Sequence, residues 1–314
     1  MFEKEIVIST KNIELSGTFC LPEKHGTFPV VLMVHGSGNI DRNENMKGQK
    51  LDVFNTFAHY LAKKGIASFR YDKRGVGKST GNYYTSGHFD LVDDAMICLE
   101  YLSRNKQCDK NAIFLLGHSE GSTIVPQMSQ KHLPVAGIIL LAPFINKMES
   151  ILMKQAASIK EAANDLTGMK NLLIKIFFKL FDPVKSQKKL IDKINNTTKN
   201  VTFLMLQKIP AKWFKELFSI DPSDIYKKTA CSCLIIGGSK DIQCNPDDVA
   251  KISNIVQGPV ESHVIKDMSH ILRLEANRPS IFNYASLLKN PIEPQVLEIV
   301  YNWIHRETSA KSNS

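Results

Sequence analysis

The run Gly117-His118-Ser119-Glu120-Gly121 constrains the fold more than any other part of the chain. A Gly-x-Ser-x-Gly string alone recurs by chance, so its flanks decide its meaning. Here it follows the apolar run Ala112-Ile-Phe-Leu-Leu and opens the amphipathic stretch Ser119-Glu-Gly-Ser-Thr-Ile-Val-Pro-Gln-Met. That pattern reads as a strand, a sharp turn and a helix, with the serine at the apex of the turn. Gly at both outer positions removes the side chains that would collide with neighbouring backbone. A serine at a helix N-terminus also sits where exposed N–H groups and the helix dipole favour negative charge.

Around this turn, short apolar β-branched runs alternate with amphipathic stretches, the sequence form of a mostly parallel sheet with helices on both faces. The class is α/β and doubly wound. Eight strands are expected near 5–9, 14–20, 30–34, 66–71, 112–116, 136–141, 232–236 and 263–266, the first two as an antiparallel entry hairpin. Helices are expected near 52–64, 90–104, 119–130, 246–256 and 294–306. Over 146–228 the alternation stops and helical periodicity takes over, as in Asn171-Leu-Leu-Ile-Lys-Ile-Phe-Phe-Lys-Leu and Ala211-Lys-Trp-Phe-Lys-Glu-Leu-Phe. The expected organisation is a core of 1–145 and 229–314, an inserted helical cap at 146–228, and a disordered tail at 307–314.

The cap carries sixteen Lys against eight Asp and Glu, nearly all of the chain's net +9. These lysines are scattered, with no run of five or six like charges, and read as the solvated faces of amphipathic helices. Clustered Arg with interleaved aromatics is missing, which argues against nucleic acid as a partner. No stretch reaches the roughly 18 apolar residues of a membrane span, so stable membrane insertion is not expected. The N-terminus lacks a basic region followed by an apolar stretch, and the expected location is the cytoplasm. The six cysteines form no Cys-x-x-Cys pair and read as reduced thiols. Cys231 and Cys233 fit strand packing rather than a metal site, and no metal or other cofactor is expected.

Ser119 is the candidate nucleophile, and its partners must come from late loops in the order Ser, acid, His. Asp241 follows the apolar run Cys233-Leu-Ile-Ile, and His270 follows Ser262-His-Val-Ile-Lys-Asp-Met-Ser. His263 lies within a strand, His305 within the last helix, and Asp247 and Asp248 in a first helical turn after Pro246. Glu149 is the alternative acid, on the loop after the preceding strand. An oxyanion hole needs two N–H donors. Ser37, in His35-Gly-Ser-Gly38 after a strand, and Glu120 supply them. Candidate pocket residues are His35, Gly36, Asp41, Arg42 and His118. The Glu120 side chain is read as paired with a neighbouring cation.

Arg74-Gly-Val-Gly-Lys-Ser-Thr80 imitates a phosphate-binding loop, but Asp72 stands where that loop needs its first Gly. Asp72 and Arg74 instead read as braces of the turn.

Six blocks together resemble the α/β-hydrolase superfamily, in the branch of bacterial serine carboxylesterases. They are His35-Gly-Ser-Gly-Asn-Ile-Asp-Arg-Asn43, Tyr71-Asp-Lys-Arg-Gly-Val-Gly-Lys-Ser79, Gly117-His-Ser-Glu-Gly121, Trp213-Phe-Lys-Glu-Leu-Phe-Ser-Ile-Asp-Pro222, Gly238-Ser-Lys-Asp-Ile-Gln243 and Ile292-Glu-Pro-Gln-Val-Leu-Glu-Ile-Val-Tyr-Asn-Trp303. The resemblance implies hydrolysis of small-molecule esters of short to medium acyl chains, without a cofactor, by Ser119, Asp241 and His270. It departs at Asn43, more often Asp, and at Ser269, more often Asn before the histidine. An aminopeptidase-like enzyme on the same residues is the rival among hydrolases, with Glu120 or Asp41 holding a substrate ammonium. A slow-turnover ligand receptor is the rival outside enzymes.

Overall fold

The computed structural model describes residues 1–131, 133–165, 176–178, 180–204 and 206–312. Eight strands form one sheet in the spatial order β1-β2-β4-β3-β5-β6-β9-β10. They are β1 Phe2–Ser9, β2 Glu14–Leu21, β3 Phe28–Val34, β4 Ala67–Tyr71, β5 Cys108–His118, β6 Gly137–Leu141, β9 Cys233–Gly238 and β10 Val260–Ile265. β1 and β2 pair antiparallel as the expected hairpin, β2 joins β4 antiparallel, and all later pairings are parallel.

Strand residues alternate between two apolar layers, as a sheet covered on both faces requires. Val30, Leu32 and Val34 of β3 pack with α2 (His88–Arg104) and α3 (Gly121–Ser129), whereas Val31 and Met33 pack with α1 (Val53–Lys63). The C-terminal helix α8 (Pro294–Ser312) closes the second layer with Val296, Val300, Trp303 and Ile304. That helix runs through the segment expected to be a disordered tail, so 307–312 is helical; 313–314 lie outside the described residues. Val300 and Ile304 carry a 3.6-residue apolar stripe onto the sheet, and the helix continues past it.

Between β6 and β9 the chain leaves the sheet. It forms α4 (Met148–Asp165), α5 (Pro183–Asn196), the antiparallel pair β7 (Thr202–Leu204) and β8 (Gln207–Ile209), α6 (Ala211–Phe218) and α7 (Pro222–Tyr226). The insertion is therefore not purely helical. Of the run expected to be helical over 171–180, residues 171–175 and 179 lie outside the described residues. Tyr226, fully buried, ties the end of the insertion to the core by donating to the carbonyls of Ser122 and Phe144 at 3.2 Å each.

After β3 the chain moves outward to β4 and then returns to the other side of β3 as β5. The loops after β3 and β5 thus diverge at their C-terminal ends, the crevice where open α/β sheets hold their ligands. Ser37 and Ser119 lie on those two loops.

Candidate active site

Ser119 follows the last residue of β5 and has φ of +52°, a left-handed conformation costly for a side-chain-bearing residue. Its N–H donates to Leu141 O at 2.9 Å, and its carbonyl accepts from the Ser122 hydroxyl at 2.6 Å. The flanking glycines are sterically required. A Cβ on Gly117 would strike the Gly121 carbonyl, and one on Gly121 would strike that of Val34. Gly121→Ala is expected to cost about 1–3 kcal/mol through forced backbone shifts; a lower midpoint in chemical denaturation checks it.

Three side chains form a line at the turn. His270 Nε2 lies 3.1 Å from Ser119 Oγ, and His270 Nδ1 lies 2.8 Å from Asp241 Oδ2. The other oxygen, Oδ1, accepts the N–H groups of Gln243 and Cys244 at 2.8 and 2.9 Å, so the carboxylate cannot swing away. Asp241 lies after β9 and His270 after β10, both buried. The His270 turn is closed by Ser269, whose N–H and hydroxyl both donate to Arg273 O. Arg273 in turn donates to Leu51 O and Asn290 O. Glu149, the alternative acid, lies in α4 and accepts from Asn195 of α5 instead.

Among the described residues, the backbone N–H groups of Ser37 and Glu120 donate to no protein acceptor. The loop that presents Ser37 is held from behind by Lys73, buried, whose ammonium donates to the carbonyls of Gly36 and Gly38. Burial pushes the Lys73 amine down, and Glu120 and Glu44 pull the other way.

The Glu120 carboxylate, 1% exposed, accepts from Trp213 Nε1 of α6 at 2.6 Å and from His88 Nδ1 at 3.0 Å. Its second oxygen lies 3.8 Å from Lys73 Nζ. Burial raises its pKa, but the His88 hydrogen bond and the Lys73 charge outweigh it and hold the group below the ordinary carboxylate range.

Two cavities, each of about 380 Å³, meet at Ser119 and share Ser37 and Gln243. One runs under the insertion, lined by Phe144, Met148, Ile151, Trp213 and Phe214. The other runs past His270, lined by it and by Met46, Ile281, Tyr284 and Leu288.

Of the candidate pocket residues, Gly36 and His118 line the second cavity, whereas His35, Asp41 and Arg42 line neither. His35 is buried beneath the loop and bonded to Tyr71 O; burial and the neighbouring Lys73 lower its pKa to about 4, so it is uncharged. Arg42 is spent on Asp72, Glu5 and Thr18 within the core of the turn. Asp41 caps its own turn by accepting the N–H groups of Asn43 and Asn45. Asn43 accepts from Arg70 and also lies off both cavities, so its departure from Asp leaves the pocket unchanged. Asp72 and Arg74 do brace the turn, but with different partners, Arg42 for one and Asp94 for the other.

Sequence reasoning missed Glu44, Lys73, His88 and Gln243. Lys73 lay within a quoted block and Glu44 next to another, but nothing in their spacing marks a buried charge.

The family profile described as serine aminopeptidase, S33, matches residues 30–277. Esterase EstD of Thermotoga maritima is 24% identical over 306 residues, covering 96% of this chain and 67% of that protein. Est1E of Butyrivibrio proteoclasticus with bound ferulic acid superposes with a TM-score of 0.63 at 18% identity, covering 97% and 99% of the two chains. A proline iminopeptidase of Mycobacterium smegmatis gives 0.61 at 12% identity, covering 98% and 100%.

Proposed function

The chain belongs to the serine aminopeptidase S33 family of α/β-hydrolases, and on that premise we propose that it is a serine carboxylesterase acting on esters of short to medium acyl chains. The observation that carries this reading is the line Ser119–His270–Asp241 together with the N–H groups of Ser37 and Glu120, which line the same cavity as Ser119 and donate to no protein acceptor among the described residues. His270 takes the Ser119 proton as Oγ attacks the ester carbonyl, and Asp241 holds the imidazole in the tautomer whose Nε2 can accept it. The oxyanion is received by the N–H groups of Ser37 and Glu120. His270 then gives its proton to the leaving alcohol, forming the acyl-enzyme. Water activated by the same imidazole releases the acid.

The leaving oxygen must come within reach of His270 Nε2, which assigns the alcohol to the cavity past the base and the acyl group to the cavity under the insertion. The segment 146–228 then acts as a lid over the acyl group. The insertion's Lys-rich surface is not used in the chemistry.

The peptidase reading needs a carboxylate free to hold an ammonium. The acids near Ser119 are engaged among the described residues, Glu120 by His88, Trp213 and Lys73, Glu44 of the second cavity by His118 and the Gly36 N–H, and Asp41 by its own turn. This favours esters. Labelling by a fluorophosphonate probe, followed by aryl esters of rising acyl length and matched aminoacyl amides, tests the reading. Labelling at Ser119, ester rates that fall beyond medium chains, and weaker amide turnover are expected. Unlabelled Ser119, or amides preferred over matched esters, would overturn it.

A further inference from the structure

Between the oxyanion loop and the base loop lies a buried acid–imidazole pair that the steps above do not use. Glu44 and His118 are 1% and 4% exposed. Glu44 Oε1 accepts the Gly36 N–H at 2.9 Å, and Oε2 lies 2.8 Å from His118 Nδ1. His118 Nε2 lies 3.0 Å from the backbone carbonyl of His270. A carbonyl only accepts, so Nε2 carries a proton.

At Nδ1 the proton belongs to the imidazole as well. Burial disfavours charge on both groups, but their mutual attraction prevails, lowering Glu44 and raising His118. Glu44 also has φ of +63°, a strained backbone for a residue with a side chain. Such strain persists where the surroundings hold it, and here the carboxylate is held at both oxygens. One end of the pair thus grips the residue before Ser37, the other the residue that carries the base.

We propose that Glu44 and His118, as carboxylate and imidazolium, clamp the oxyanion loop to the His270 loop and are positioning residues for ester hydrolysis, an inference that rests on the function proposed above. The other ionisable groups facing the pair are Asp241 after β9, His270 after β10, His35 after β3 and, beside His35, Lys73 after β4. The His118 pKa is raised on folding. With the Glu44 pKa lowered as well, the clamp's contribution is complete between the ordinary carboxylate and ordinary histidine ranges and is lost as pH rises through the raised His118 value. A neutral Nδ1 would then turn a lone pair toward the Glu44 carboxylate.

The test compares wild type, E44Q and E44A by kcat–pH profile, with activity expressed per fluorophosphonate-labelled site so that misfolded protein drops out. Imidazole ¹⁵N NMR of wild type follows His118 directly. The E44Q amide can accept from Gly36 and donate to a neutral His118, keeping the contacts without the charge. His118 should be doubly protonated at pH 6, below the ordinary histidine range, and the wild-type kcat should fall on the alkaline side together with its titration. That limb should vanish in E44Q. In E44A, kcat should fall about 10–100-fold with KM little changed, the scale of a misplaced catalytic group. A neutral His118 at pH 6, an alkaline limb that survives in E44Q, or wild-type kcat per labelled site in E44A each overturns the clamp. Wild type that neither labels nor hydrolyses any ester would instead sink the esterase reading.

Discussion

Ser119→Ala is expected to lower kcat on aryl esters by about 10⁶-fold, leaving only the activity that binding and the two N–H donors supply. Ser119 Oγ is the only hydroxyl hydrogen-bonded to His270 Nε2 among the described residues. The same substitution should abolish fluorophosphonate labelling. Stability should change little, because the backbone at φ +52° is as costly for Ala as for Ser, and the hydroxyl makes one side-chain hydrogen bond. Stopped assays at high enzyme concentration, with the unlabelled variant as control for contaminating wild type, give the ratio. A loss under 10-fold would place the nucleophile elsewhere.

Asp241→Asn should cost about 10⁴-fold in kcat, the scale seen when the base is held in the wrong tautomer. The surroundings of Asp241 dictate that outcome. Oδ1 accepts two backbone N–H groups, from Gln243 and Cys244, and only the carbonyl oxygen of an asparagine can take that place. Its amide nitrogen then faces His270 Nδ1, which must accept. The proton moves to Nε2, and the imidazole can no longer receive one from Ser119. Fluorophosphonate labelling should slow in parallel, since it depends on the same activation, whereas the denaturation midpoint should move far less than the rate. Glu149→Gln serves as the comparison and should leave kcat within about 2-fold, as Glu149 bonds to Asn195 and not to the base.

Esterase action also explains why Glu120, beside Ser119, has three partners. A bare carboxylate there would repel the developing oxyanion. Trp213, His88 and Lys73 absorb its charge while leaving its N–H free. Trp213 comes from the insertion, so this contact also seats the insertion against the turn at Ser119.

Local pattern was enough for the sheet, the turn at Ser119 and the order of the three candidate catalytic residues. Period-2 and period-3.6 apolar spacing reports which faces are buried, and Gly117 and Gly121 report where backbone passes too close for a Cβ. Strand ends were less legible. β5 begins at Cys108 rather than at the apolar run, because its early polar residues still belong to the strand. The disordered tail was wrong for the complementary reason: a polar composition at 307–312 does not stop a helix whose preceding turns are anchored by Trp303 and Ile304.

What only tertiary structure decided is where each charge ends up. Arg42 and Asp41 read as pocket residues because they follow the Ser37 loop, yet the chain turns them into that loop's own scaffolding. Glu44 and Lys73 carried no signal, yet both are buried against that loop. A charged side chain is placed by partners distant in sequence, 74 residues away for Glu44 and His118, and no local period encodes such a pairing. Apolar burial repeats along the chain and can be read from it. The pairing of buried charges is settled only when the chain has closed on itself.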